Sequence, residues 1–422
     1  MLFIVGYFSE LVFVYTKILT IVFFVLVLID QFLLYGGKNR FFARRDPPEK
    51  LSNGDVNVIS IFLENSYTIP VTISVIDEIP LQFQVRDFNY TLKLSPKANK
   101  IITYNLRPVK RGEYHFGALN IYVTSLLGLV KRRYKFDNGA MVPVYPSFMQ
   151  MHKYELIAIS QQLPETGIKR MRKIGHSMEF ETIREYVPGD DPRSINWRAT
   201  ARKSDLMINH YRDEKSQQVY CIIDKGRTMQ LPFEGLSLLD YSINASLVLS
   251  NIAIKKQDKA GLITFSDKMG ALLPADNKRS QLKLILETLY NQKTRYLESD
   301  YEMLYARTRK HLHQRALLLL FSNFGSLEGL RRQMPFLRKI ARNHLLVVVF
   351  FEDTELDKLL GDNPSEVEGI YIKTIAEQFV LEKKQMVKEL EAVGIHSILI
   401  PPAKLTMAVI NKYLELKSRM LI

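Results

Sequence analysis

Residues 175–202, GHSMEFETIREYVPGDDPRSINWRATAR, interleave charged and aromatic side chains unusually densely and include the chain's only tryptophan, Trp197. Three chemistries compete for this string. Asp190 and Asp191, following Gly189, offer the hard oxygens of a divalent-cation site, with Glu179 or Glu181 as acid or base. Arg184, Arg193, Arg198 and Arg202 could instead fork onto carboxylates or phosphates of a partner. In the third reading the same arginines pair with Glu185, Asp190 and Asp191 and fix a long connection on the next domain.

Other chemistry-bearing patterns are sparse. No P-loop, G-x-G-x-x-G, H-E-x-x-H or G-x-S-x-G occurs, and the eight histidines lack ligand spacing. The single cysteine, Cys221, excludes an internal disulfide framework and sits in an apolar run where a buried, inert thiol is expected. Net charge is +14, which suggests nucleic acid or an anionic membrane face. With no nucleic-acid motif present, the membrane face is the reading taken. The basic run 169–173 could touch anionic lipid, but a solvated surface is the simpler expectation.

The elements that must position these residues fall into segments. A chain of 422 residues predicts more than one domain. Residues 2–35 are almost wholly apolar, broken by Glu10, Lys17 and Asp30. Spanning a bilayer takes about 20 residues. The run fits either one helix over 11–29, or a hairpin of 2–16 and 18–35 turning near Lys17. A cleaved signal peptide would place basic residues first. Here Lys38, Arg40, Arg44 and Arg45 follow, which predicts a cytoplasmic C-terminal side. The expected anchor is 1–37, in contact with membrane lipid.

From 48 to 147 the apolar period becomes two, with turn residues between short β-branched runs. That predicts an immunoglobulin-like β-sandwich. Residues 148–215 read as a connecting segment carrying the motif. From 216 to 422 apolar strands alternate with helical patterns, beginning with QQVYCIID at 217–224 and a capping box at Ser237 and Asp240. This predicts a doubly wound α/β domain whose ligand face is the carboxyl ends of its strands.

Glu179-Phe180, Arg184-Glu185-Tyr186, Pro188-Gly189-Asp190-Asp191, Arg193, Ile195-Asn196-Trp197 and Thr200-Ala201-Arg202 together resemble the defining motif of the domain-of-unknown-function 58 family. The resemblance extends over nearly the whole chain. It implies a bacterial inner-membrane protein with most of its mass in the cytoplasm, a β domain and a von Willebrand A-like α/β domain. It also implies partnership with a MoxR-type AAA+ ATPase and client proteins in protein assembly or maturation.

Domains resembling von Willebrand A often hold Mg²⁺ at a metal-ion-dependent adhesion site on the strand ends. The corresponding positions here are Asp224, Thr228, Ser299 and Asn323. Gly226 replaces one hydroxyl, Asn323 replaces an acid, and Lys225 and Arg227 add positive charge. That degenerate set predicts no bound cofactor, with Asp224 pairing with Arg227 or another basic neighbour. The expected function is a non-enzymatic, membrane-anchored adaptor whose binding residues lie in the motif and at the Asp224 edge. A Mg²⁺-dependent adhesion receptor and a metal-assisted enzyme built on Glu179, Asp190 and Asp191 are the rivals.

Overall fold

The computed structural model describes residues 10–37, 40–137, 139–159, 178–188, 190, 192–203, 205–213, 216–353, 367–419 and 421. They form two compact units, Met1–Tyr145 and Pro146–Ile422. Lys38 and the basic run 169–173 lie outside the described residues.

The apolar segment of the first unit is one continuous helix, α1, Glu10–Tyr35. The hairpin alternative, with its turn near Lys17, is not formed. Leucine, valine, isoleucine and phenylalanine tolerate a helix when no glycine or proline interrupts them, and Thr16 and Thr20 return their hydroxyls to carbonyls one turn back. At about 1.5 Å per residue its 26 residues extend about 39 Å, so the expectation of 11–29 was short at the C-terminal end. Its apolar side chains are largely exposed, among them Leu11, Ile21, Phe24, Leu28 and Phe32.

Ten strands follow: β1 Phe41–Asp46, β2 Leu51–Ser52, β3 Asn57–Asn65, β4 Val71–Asp77, β5 Tyr90–Leu94, β6 Asn99–Leu106, β7 Gly112–Phe116, β8 Leu119–Thr124, β9 Lys131–Phe136 and β10 Ala140–Tyr145. Sheets β1-β3-β6 and β5-β4-β8-β9 bury their inner faces in one core, and β2-β10-β7 continues it as a second cluster. The period of two is visible in β3, where Ile59, Ile61 and Leu63 are buried and Val58 is exposed. Arg45, grouped in the sequence with surface cations, is buried instead. Its guanidinium pairs with Asp77 and neither side chain is exposed.

The second unit opens with α2, Phe148–Ile159. Within the stretch expected to be a connection, the described residues after α2 form a hairpin and a helix. Strand β11, Met178–Glu185, pairs antiparallel with β12, Met207–Asp213, around a short helix α3, Trp197–Lys203. The α/β part follows: β13 Gln218–Asp224, β14 Pro232–Phe233, β15 Leu236–Ser237, α4 Leu238–Lys255, β16 Lys259–Phe265, β17 Met269–Asp276, α5 Arg279–Tyr290, α6 Tyr301–His311, β18 Leu317–Phe321, α7 Leu327–Asn343, β19 Leu345–Phe351, α8 Val367–Ala392, β20 His396–Ile400 and α9 Leu405–Ser418.

The main sheet has the order β17-β16-β13-β18-β19-β20, parallel except for the edge strand β17. Helices α4, α5 and α9 pack on one face, and α6, α7 and α8 on the other. The capping box forms: Ser237 N–H donates to Asp240 Oδ2 at 3.1 Å, and Asp240 N–H to Ser237 Oγ at 3.2 Å. The chain leaves β13 toward β16 on one side and returns to β18 on the other. The strand order therefore reverses beside β13, and a doubly wound sheet opens a crevice at that reversal.

Candidate functional site

That crevice forms at the carboxyl end of β13. Asp224, Thr228, Ser299 and Asn323 line one cleft of about 170 Å³, with Arg227, Tyr301 and Ser326 around it. The four positions singled out in the sequence thus come together. Their chemistry differs from a cation cage.

Asp224 is 2 % exposed. Ser299 Oγ donates to its Oδ1, joined there by the Gly226 N–H at 2.7 Å. Ser322 Oγ donates to Oδ2 at 2.7 Å, and Tyr301 Oη lies 3.3 Å from the same oxygen. Tyr301 Oη and Ser322 Oγ also lie 2.6 Å apart, so one of their two protons is held between them and three protein donors at a time reach the carboxylate. Burial pushes its pKa above the usual carboxylate range, opposed by those hydrogen bonds. The expected pairing with Arg227 does not occur. Arg227 is exposed, with Nη2 4.0 Å from Glu298 Oε1.

Gly226 explains the missing hydroxyl. A Cβ there would collide with Ser299 Oγ, so the Ser299 hydroxyl fills the space that a serine at 226 would need. The neutral Asn323 is engaged as well. Lys383 of α8 reaches it, donating from Nζ to Asn323 Oδ1 and to the Phe324 carbonyl, both at 2.7 Å. Nothing in the sequence marked Lys383, which sits between Glu382 and Lys384 on a charged stretch of helix. Ser322 and Tyr301 were also missed, although Ser322 adjoins Asn323 at the end of β18.

One carboxylate already engaged by protein donors on both oxygens, a neutral amide held by an ammonium, and no hydroxyl at 226 make a poor donor set for Mg²⁺. That ion requires near-octahedral oxygen ligation and gives up water reluctantly. Among the described residues no group of three or more His, Cys, Asp or Glu is placed to hold a metal.

Lys383 carries its own pH signature. Burial lowers its pKa to about 8 from 10.5. Between those values the unfolded chain binds more protons than the folded one, so stability rises with pH across that window. The gain is on the order of 3 kcal/mol. Lys383→Met is expected to lack this alkaline rise, and unfolding titrations of both proteins on either side of the window measure the difference.

The motif hairpin is the second arrangement. Arg184 Nη2 donates to Asp190 Oδ1 at 2.7 Å, while Asp190 Oδ2 accepts the Val187 N–H at 3.0 Å. Asn196 caps α3, accepting the Ala199 N–H at 3.0 Å, and its Nδ2 donates to Asn209 Oδ1 at 2.8 Å. Thr200 Oγ1 accepts the Met207 N–H at 3.0 Å, and the Tyr186 N–H donates to the Leu206 carbonyl. Arg184, Asp190, Asn196 and Thr200 therefore shape the turn and seat α3 against β12.

What α3 presents outward is Trp197, 70 % exposed, with Arg198, Arg202 and Lys203 also exposed. Tyr186 is half-buried. Gly189 and Asp191 lie outside the described residues, as do the side chains of Glu179, Phe180, Glu181 and Arg193.

Cys221 is buried, and burial pushes its thiol up to about 12. It is no nucleophile at neutral pH.

Comparison with known proteins adds the following. The "Uncharacterized protein YeaD" of Bacillus subtilis is 28% identical over 131 residues, 31% of this chain and 32% of YeaD. The chain thus spans about a third of that relative. The conserved hypothetical protein BatB from Bacteroides thetaiotaomicron is 14% identical, with a TM-score of 0.31, over 49% of this chain and 100% of BatB. A CARDB domain from Pyrococcus furiosus is 18% identical, with a TM-score of 0.18, over 25% of this chain and 92% of that domain. The segment that carries both the motif from Thr182 onward and the Asp224 crevice, residues 182–369, matches the family model described as "Protein of unknown function DUF58".

Proposed function

We propose that this protein is a non-enzymatic adaptor, anchored in the bacterial plasma membrane by α1, whose second unit binds partner proteins in the cytoplasm. The observation that carries the reading is Trp197. A large aromatic side chain is held in solvent beside Arg198 and Arg202 on a helix that is itself capped and pinned. Aromatic and arginine side chains on rigid supports are the usual anchors of protein interfaces. One of the motif's candidate acids, Asp190, is engaged by Arg184, which favours binding over catalysis. The hydroxyl-filled Asp224 crevice supports the same choice over a Mg²⁺-dependent adhesion receptor.

Retention of the apolar segment is favoured by its far end. Leu34 is fully buried in the β core, and Tyr67 Oη donates to the Leu34 carbonyl at 2.9 Å. Cleavage within the helix, as for a signal peptide, would strip residues from that core. The family resemblance supplies the partner class, a MoxR-type AAA+ ATPase with its assembly clients.

A photo-crosslinker at Trp197 in native membranes tests the reading. Recovery of such an ATPase or a client is expected, and a recovery no higher than from a position inside β13 would remove the main support. Trp197→Ala is expected to weaken partner capture by about 10-fold or more. Stability should change by only about 0.5 kcal/mol, as thermal melting would show.

A further inference from the structure

An aspartate inside an apolar helix is costly unless something answers it. Asp30 of α1 is fully buried, and its partners all come from the tip of the β8–β9 hairpin. Ser125 Oγ donates to Oδ1. The Leu129 and Val130 N–H groups donate to Oδ2 at 2.9 and 2.7 Å. One turn further along, Arg132 of β9 donates to the Leu34 carbonyl and, at 3.1 Å, to that of Gly37. Its guanidinium also lies 4.8 Å from the centre of the Tyr35 ring.

These contacts set a direction. From Arg132 to Leu129 the hairpin passes from the level of Leu34 to that of Asp30, toward the helix N-terminus. Asp30 lies five residues before the helix end, about 7.5 Å along its axis. The tip turns there through Gly128, whose φ of +68° favours glycine. Around that turn Leu126, Leu127 and Leu129 are 78%, 45% and 42% exposed, while Lys131, Arg132 and Arg133 follow at once. Exposed leucines backed by cations, alongside an apolar helix, match the requirements of a bilayer boundary, where apolar groups enter and basic heads stay at the headgroups.

We infer that the β8–β9 tip, residues 126–129, inserts beside α1 into the acyl–headgroup boundary of the membrane, as a second and shallower foot for the β domain. Asp30 is the latch that holds the foot at its depth. The inference rests on α1 being a membrane anchor.

The test uses the full chain in phospholipid vesicles, with an environment-sensitive fluorophore on single cysteines placed by Leu126→Cys, Val22→Cys in mid-helix, or Val56→Cys as an exposed reference. Cys221 is buried and unreactive. Lipids with a spin label high on the acyl chain are expected to quench the Leu126 site at least about twofold more than the Val56 site, and lipids labelled deeper to quench the Val22 site. If Val22 is quenched and Leu126 behaves like Val56, the foot is wrong and the anchor stands. If Val22 and Leu126 both escape quenching, the anchor reading itself fails and the foot with it. A Leu126 probe shielded from aqueous iodide but untouched by lipid quenchers would mean that protein covers the tip, which also overturns the inference.

Discussion

Asp224→Ala is expected to destabilise the second unit by about 3–5 kcal/mol, because several buried donors lose their acceptor at about 1–3 kcal/mol each. Three donors lose their acceptor at once: Ser299 Oγ, the Gly226 N–H and one hydroxyl of the hydrogen-bonded Ser322–Tyr301 pair. At about 2–4 °C per kcal/mol the melting transition should fall by roughly 10 °C. Asp224→Asn is expected to cost well under half as much. Its carbonyl can accept from Ser299 and Gly226 as Oδ1 does, and its amide can donate to hydroxyls at 322 and 301 that turn to accept.

The pH dependence has a definite sign. Burial raises the carboxyl's pKa, so its contribution is fully present below the unfolded value and is lost as pH rises through the folded one. Asp224→Asn should therefore gain on the parent as pH rises above the ordinary carboxylate range. Mg²⁺ should leave the parent's melting point unchanged. A saturable Mg²⁺ shift, abolished by Asp224→Asn, would instead restore the cation-site reading.

The part of this site that could be read in advance was what lies close in sequence or follows a period. Continuous apolar runs located β13, β18 and β19 because strands covered on both faces need apolar side chains throughout. The resemblance to von Willebrand A domains then put Asp224, Thr228, Ser299 and Asn323 at one edge. The missed hydroxyls are local to no pattern, since Tyr301 and Ser322 reach Asp224 from 77 and 98 residues away. Lys383 was hidden for the same reason, meeting Asn323 across 60 residues.

The motif hairpin β11–β12 escaped notice differently. Its polar residues satisfy one another, as Arg184 and Asp190 do, and it has little apolar alternation to reveal a strand. In the first unit Asp30 looked like the edge of a span. Only the fold brings Ser125, Leu129 and Val130 to it, across 95 to 100 residues.

Arg45 was the sharpest misreading, and the second large effect follows from where it lies. Its Nε donates to Asp77 Oδ2 at 3.0 Å, and its Nη2 to Asp77 Oδ1 at 2.5 Å and to the Gly117 carbonyl at 2.9 Å. Tyr104 Oη donates to Asp77 Oδ2 at 2.5 Å, and Phe116 lies 4.9 Å beneath the guanidinium. Arg45 is on β1 and Tyr104 on β6 of one sheet, whereas Asp77 ends β4 of the facing sheet. The pair is therefore a polar pin through the sandwich, close behind the helix that precedes β1.

Asp77→Ala leaves a guanidinium with no exposure and no carboxylate, a loss of about 3–5 kcal/mol. Arg45→Lys should also be costly, because an ammonium cannot make the forked pair or stack on Phe116. The double variant Arg45→Met with Asp77→Leu removes both charges and keeps apolar volume. It is expected to lie within about 2 kcal/mol of the parent. A double-mutant cycle read by chemical denaturation measures this coupling. A cycle in which the two single changes simply add would show that the pin does not hold the sheets together.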